Sequence, residues 1–437
     1  MLNSATMNES PARRVGESAA ALLAAGAVLA LFLISNLMLS LLGVSYDVSG
    51  GAQWQKIHPA TYLALASLGF LALSRFDPVI LVDEVVRHHK GLLVFFFAWL
   101  LLLGHIVFFV GSPITAVIDT FLLPMLMLVL LTRVSEGQAS RLALFLHVAM
   151  AANAALGIWE FAGGFRVTPL IAQGVALTGD WRSTALLGHP LQNATITAVY
   201  AFILIQGGGR DLSGLLRPLA FLLQLAALAA FGGRAATAMF IAFGAVAAVV
   251  QVARIVQTRS ITARGAATFA LVLTVGIVAA SLLVAGGYFD QFASRFVSDE
   301  GSFNARISMF KLLGEIPYSA LLAGPSPEYV ATLQRLEGIE FGIESFWVAM
   351  IANYGILISI PFFIGLTAFL FDLKRVTRSP SGWTILLFVA ICSTSASLSG
   401  KTTGFAEFAV MLLLLLRPVA ERAPTHDGVR VDRRPVS

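Results

Sequence analysis

Apolar runs separated by short polar stretches follow one another along nearly the whole chain. They fall at about 18–44, 59–74, 91–111, 115–132, 141–161, 190–206, 215–232, 235–253, 265–286, 343–371, 383–399 and 405–416. A helix needs roughly 20 apolar residues to cross a hydrocarbon core about 30 Å thick. None of the runs shows the alternation of a membrane barrel strand, so helices are the structure that satisfies the backbone in lipid. The pattern predicts an all-α polytopic membrane protein with about twelve transmembrane helices in a single domain over 18–416. A polar segment, 1–17, precedes it, and a polar, Arg- and Pro-containing tail, 417–437, is expected to be disordered. The first apolar run is long and lacks a small-residue cleavage site, so it reads as the first span rather than a removed signal.

Two connecting segments stand out by length, at about 162–189 and 287–342. Long loops in compact folds tend to carry function. The second contains Gly-Ser-Phe-Asn-Ala-Arg-Ile-Ser-Met-Phe-Lys-Leu-Leu at 301–313, a pattern fit for an amphipathic helix along a membrane surface. The segment between the sixth and seventh runs, about 207–214, is short, unlike the long central loop of a transporter built from two six-helix halves.

Composition agrees with the pattern. The 437 residues are 57% hydrophobic and 12% charged, against about a quarter charged in a soluble domain, and the mean hydropathy is +0.83. Charge sets the orientation. With the N-terminus inside, twenty of the 29 Lys and Arg residues fall on the cytoplasmic side, and both termini are cytoplasmic. Nine fall outside: Lys56, Arg166, Arg182, Arg234, Arg295, Arg306, Lys311, Arg335 and Lys401. The net charge of +5 follows from basic cytoplasmic loops and implies no nucleic-acid partner. The single cysteine, Cys392, lies within the eleventh run, so no disulfide framework or metal-thiolate set is expected.

Four outer positions are candidates for chemistry. Trp-Arg-Ser-Thr-Ala-Leu-Leu-Gly-His-Pro-Leu-Gln-Asn-Ala at 181–194 brings Arg182, His189 and Asn193 to the start of the sixth span. An Arg before a helix N-terminus, whose free N–H groups favour anions, suits a phosphate. Ordinary interfacial residues with their tips in water are the equal alternative. Phe-Gly-Gly-Arg places Arg234 at a tight turn between spans seven and eight, where it either marks the water boundary or meets a ligand. Arg295 and Arg306 in the large loop offer planar forks of donors matched to phosphate oxygens, or pair with nearby acids. Glu344, entering the tenth span, is partly withdrawn from water and so placed to act as a general base, or is a first-turn carboxylate with Ser345 helping to cap. Asn353 and Gly355 suit helix packing. Lys401 and Glu407 form an ion pair or edge the same site. Asp119, His105 and His147 are expected to be buried in structural pairings. No HExxH, DxD, Walker or G-x-S-x-G pattern lies in a suitable loop, so no metal or cofactor site is predicted.

Taken in order, and all on one face, these segments resemble the O-antigen ligase and Wzy-type polymerase superfamily of bacterial inner-membrane glycosyltransferases, most closely its exopolysaccharide polymerase branch. The motifs are Gly-His-Pro-Leu-Gln-Asn-Ala after Arg182, Gly-Gly-Arg at Arg234, Asn-Ala-Arg at Arg306, and Glu-Ser-Phe-Trp with Gly355 downstream. The resemblance covers roughly residues 20–416. It implies a GT-C-like membrane fold, the bacterial inner membrane, and an undecaprenyl-pyrophosphate-linked oligosaccharide as donor on the periplasmic face. Other polysaccharide export components are the protein partners it suggests. Ligases of the family carry a His-Asn pair where this chain has Glu344-Ser345, a departure that leans toward a polymerase joining repeat units. In that reading Arg182, Arg234 and Arg306 neutralise the leaving pyrophosphate, and Glu344, with His189 as competitor, deprotonates the attacking hydroxyl. Asn193, Arg295, Ser345 and Lys401 are further candidate substrate contacts. Transfer to another acceptor is the alternative within the class, and a lipid-linked oligosaccharide flippase is the alternative outside it. A flippase would carry its charges toward the midplane, and the apolar runs here are nearly free of Arg and Lys.

Overall fold

The computed structural model describes residues 11–47, 50–74, 78–111, 113–172, 175–177, 179–258, 302–339, 342–395 and 400–418, with residue 398 and scattered positions between 274 and 294. The described chain is helical apart from a two-residue antiparallel ladder pairing Ile171 with Ala176 and Ala172 with Val175. Five described helices are long and apolar enough to cross a membrane: Val15–Leu33, Lys90–Val110, Glu136–Gly163, Arg234–Ala253 and Ile356–Val376. Six shorter apolar helices accompany them: Pro59–Ser74, Thr115–Leu131, Pro190–Ile205, Leu216–Phe231, Ser381–Ser393 and Gly404–Leu415. Eleven of the twelve expected spans thus correspond to a described helix. The remaining one, the ninth at 265–286, lies largely outside the described residues, as do Arg295, the side chain of Arg306 and the tail beyond residue 418.

In chain order the elements are α1 (Pro11–Leu33), α2 (Asn36–Leu41), α3 (Pro59–Ser74), α4 (Pro78–His88), α5 (Lys90–His105), α6 (Thr115–Val117), α7 (Leu123–Leu131), α8 (Glu136–Gly163), α9 (Pro190–Ile205), α10 (Leu216–Phe231) and α11 (Arg234–Thr258). They continue as α12 (Ser302–Glu315), α13 (Tyr318–Ala323), α14 (Pro327–Leu336), α15 (Phe346–Tyr354), α16 (Ile356–Val376), α17 (Ser381–Ser393) and α18 (Gly404–Leu415). Helices α9, α7 and α18 are buried almost all round, as expected of central helices wrapped by others. Small residues let neighbours approach closely. Gly91 and Gly365 seat α5 on α16, where an added Cβ would stand 2.1 Å from the Ala368 carbonyl oxygen and 2.8 Å from the Ala98 Cβ.

Two expected spans are interrupted. The first ends at Leu33, and Ser35, whose hydroxyl accepts from the Met38 N–H at 3.2 Å, opens the separate helix α2. The tenth, expected to run unbroken over 343–371, is two helices joined at Gly355. Gly355 has φ +78°, and a Cβ there would lie 2.4 Å from the Gly324 backbone nitrogen. The residue is thus a chain crossing between the α13 end and the α15–α16 joint rather than a helix-packing contact, and only glycine fits it. Helix α15 belongs with the long loop: Ile343, Val348, Ala349 and Ala352 pack with Met309, Leu312, Ile316 and Leu333 of α12 and α14.

The up-and-down course leaves the bundle with two ends. One carries the described residues of the 42–58, 164–189, 302–345 and 394–403 segments and is the loop end. At the other lie the ends of α7, α9, α16 and α18, with Arg133, Arg217, Arg378 and Arg417.

Candidate functional site

Glu160 begins the account of the loop end. An acid near the close of the long helix α8, it is 1% exposed and has no cation within ion-pair distance among the described residues. Its Oε1 accepts from the Val167 N–H, and its Oε2 from the Thr184 and Ala185 N–H groups, each at 2.9 Å. Three backbone donors that the fold-back would otherwise orphan are satisfied by one carboxylate. Asn153, one and a half to two turns earlier, accepts from the Leu186 N–H at 3.0 Å. Ala185 adopts φ +40°, the one positive φ outside glycine among the described residues. Such strain persists only where the surroundings over-determine the backbone. Residues 183–186 are therefore pinned to α8 from below.

On this platform stands Arg182. Its Nε lies 3.0 Å from both Asp180 carboxylate oxygens, and Asp180 also accepts from its backbone N–H at 2.9 Å. Burial works against the Asp180 charge, yet the hydrogen bonds and charge of Arg182 hold the carboxyl below its usual range. Arg166, one of the nine cations assigned to the outer side, is partly buried. It donates to the Arg182 carbonyl at 2.7 Å and the Leu177 carbonyl at 3.0 Å, and its Nη2 lies 3.6 Å from Asp180. It braces the segment because the 164–189 stretch folds back over α8.

The stem of Arg182 lies on the α10–α11 turn. A Cβ on Gly232, which has φ +63°, would stand 2.8 Å from the Arg182 Cγ and from Trp181. Gly233 is held as closely against Ala194 of α9. Phe-Gly-Gly-Arg is thus a turn thinned to let the Trp181–Arg182 strand and α9 in, and it sets Arg234, the first residue of α11, two positions from the Arg182 contact. This arginine corner thus carries the contact with the Arg182 stem and, two residues on, the backbone of Arg234, two of the three arginines named for a phosphate. The third, Arg306, lies within α12 one turn before Met309, which belongs to the cluster that also buries Ile343, the neighbour of Glu344.

His189 caps α9, with its Nδ1 accepting from the Leu191 N–H at 3.2 Å. Removal from water, reinforced by the Arg182 charge, lowers it to about 4. The neutral ring then carries its proton on Nε2, as a donor rather than a base. Asn193 is fully buried; its amide donates to the Thr184 carbonyl at 2.6 Å and the His189 carbonyl at 3.1 Å, while its Oδ1 has no partner.

One turn below His189, Gln192 opens a second polar cluster. It donates to the Glu407 Oε1 at 2.6 Å, and Thr403 donates to the same oxygen at 2.8 Å. The Glu407 Oε2 is buried with no partner. Lys401 is not its ion pair. The ammonium instead donates to the Tyr46 carbonyl at 2.6 Å and sits 3.4 Å above the Tyr46 ring, where burial pushes it down to about 8. Tyr46 in turn donates to Asp119 at 2.9 Å. Asp119, fully buried, also accepts from the Thr61 hydroxyl at 2.7 Å and the His58 N–H at 3.1 Å, the structural pairing expected for it. The π-helical turn Ile118–Leu122 that presents Asp119 also presents Thr120, whose hydroxyl accepts from the Thr402 N–H. His147, likewise expected in a buried pairing, lies 2.7 Å from the Tyr200 hydroxyl, whereas the buried His105 Nε2 has no partner.

Glu344 and Ser345 lie apart from this network. Ser345 is buried at the start of α15 but makes no side-chain cap, contrary to expectation. Glu344 is half-buried, without a hydrogen bond or ion pair among the described residues. Its helix is tied to α17 by the Trp347 indole donating to Ser393 at 2.7 Å, and α17 packs on α11 through Ile391 and Ala236, two residues beyond Arg234. A small open cleft of about 40 Å³ lies between α6, the Ile118–Leu122 turn and α15, with Thr120, Asn353, Tyr354 and Gly400 among its walls. It is not at the arginine corner.

Sequence reasoning missed Glu160, Asp180 and Gln192. The first had a signal, since an acid within an apolar run is costly unless paired. No group of three or more His, Cys, Asp or Glu side chains able to hold a metal occurs among the described residues. No family profile matches the sequence, and no curated protein matches it.

Proposed function

We propose that the chain is a membrane glycosyltransferase that polymerises undecaprenyl-pyrophosphate-linked oligosaccharide repeat units on the periplasmic face of the bacterial inner membrane. It would have a GT-C-like arrangement of about twelve spans and cytoplasmic termini. One observation carries the reading: Arg182 lies on the Gly232–Gly233 turn beside Arg234, with neutral His189 at the adjoining helix start. A guanidinium pair and helix N–H groups suit a diphosphate.

In this reading an acceptor hydroxyl oxygen attacks the anomeric carbon as the bond from that carbon to the diphosphate oxygen breaks, inverting the centre. The hydroxyl proton passes to the Glu344 carboxylate. Charge developing on the leaving diphosphate meets Arg182, Arg234 and Arg306, and His189 donates from Nε2 rather than acting as the base. Removing one such stabilising donor costs on the order of 100-fold in turnover. Replacing Arg182, Arg234 or Arg306 by Ala, in cells that make the polymer, should shorten or abolish it. Unchanged length and yield from well-expressed variants would sink the assignment. Transfer to a non-repeat acceptor would show as a single-addition product from purified protein and donor. A flippase would yield translocated, unextended donor.

A further inference from the structure

At the end opposite the loops, the last turn of α9 and the Gly-rich turn that follows collect arginines. Arg217 donates from Nε and Nη2 to the Leu204 carbonyl, the former at 3.0 Å. Arg378 donates from Nη2 to the Gly207 carbonyl at 2.9 Å, and its Nε is buried with no partner among the described residues. Arg210 lies exposed in the same turn. None of the three has a carboxylate within ion-pair distance among the described residues, because the neighbouring Asp211 is engaged by Arg417 at 3.1 Å. Like charges gathered in a partly dehydrated place repel one another, and the helix-end carbonyls offset only part of that cost. Exposed apolar side chains flank the cluster: Leu215, Leu216 and Leu219 beside Arg217 are all more than half exposed.

We infer that Arg210, Arg217 and Arg378 form a binding site for the phosphate headgroup of an anionic phospholipid, its acyl chains lying on the leucine face of α10. Guanidinium forks match phosphate oxygens, and basic pockets between membrane helices hold such headgroups. Free phosphate has the same headgroup chemistry, but the leucine face gives it nothing to occupy. The site lies at the far end of the bundle from the arginine corner and does not rest on the proposed function.

The test uses the full chain purified in detergent and followed by native mass spectrometry and thermal unfolding. Added phosphatidylglycerol should be retained and raise the unfolding temperature, phosphatidylcholine should do neither, and inorganic phosphate at matched concentration should have no effect. Arg210→Ala, at an exposed position, should bind phosphatidylglycerol about fivefold more weakly, taking about 1 kcal/mol per basic side chain at an anionic surface. Arg378→Gln should do at least as much. Equal retention of both lipids, or variants that bind phosphatidylglycerol as the parent chain does, would overturn the site. Stabilisation by inorganic phosphate equal to that by the lipid would overturn the lipid as its occupant.

Discussion

Replacing Glu160 by Gln tests whether the arginine corner stands on the platform described. The carboxylate accepts three backbone N–H groups at 2.9 Å. Glutamine keeps one acceptor oxygen, and turning it toward Thr184 and Ala185 leaves its amide nitrogen facing the Val167 N–H, donor against donor. A hydrogen bond to a charged group contributes about 1.5–3 kcal/mol, and an unmet buried donor costs about 1–3. The local opening of residues 164–189 should therefore become easier by about 2–3 kcal/mol, roughly a 30- to 150-fold rise in opening. Glu160→Ala, losing all three, should cost about 5 kcal/mol and threaten the whole fold. Hydrogen exchange read by mass spectrometry on peptides spanning 164–189 measures this directly, with α5–α16 peptides as the internal control. If the Gln variant exchanges in that segment within about threefold of the parent, the carboxylate is not holding the loop and the reasoning is wrong. If α5–α16 exchange rises equally, the effect is global rather than local.

Further outcomes follow from other contacts. Because the folded chain holds His189 at about 4 against 6.5 when unfolded, its share of stability is present above 6.5 and lost as the pH falls toward 4, by up to about 3 kcal/mol. His189→Asn should flatten that part of the unfolding-versus-pH curve, and an unaltered curve would refute the assignment. Gly355→Ala should cost about 3 kcal/mol or more in thermal unfolding, since the facing atoms are Gly324 backbone at 2.4 Å; Gly164→Asn, at φ +65° in open space, should be nearly neutral. Tyr46→Phe should lower stability by about 1–3 kcal/mol, because Asp119 loses a buried donor.

The helical membrane fold was legible because crossing a hydrocarbon layer demands long apolar runs, and these survive in any single sequence. The break at Gly355 was not, since apolar residues continue through it and only the contact with Gly324 forces the turn. Arg182 and Arg234 drew notice by lying on the disfavoured side for positive charge. The contact of Arg182 with the turn that leads into Arg234 depends on Gly232 and Gly233 accepting a neighbouring segment and helix, which spacing along the chain does not reveal. Arg166 and Lys401 show the same limit: neither the loop position of the first nor the pairing with Glu407 open to the second foretold that each is occupied by backbone carbonyls from residues far enough along the chain that only the fold brings them near.

The crossing of Gly324 and Gly355 turns the stretch between them into a closed ring of chain, bearing α14 and α15. A ring tied at its neck has already spent the entropy of joining its ends, and lengthening it adds little, since doubling a loop costs only about 0.6 kcal/mol. Insertions in its outer arc, between Leu336 and Gly342, should leave the spans undisturbed. A single added residue at the neck would instead shift α16 against α5. The segment that forms the ring is therefore free to vary in size while its point of attachment to the bundle stays fixed.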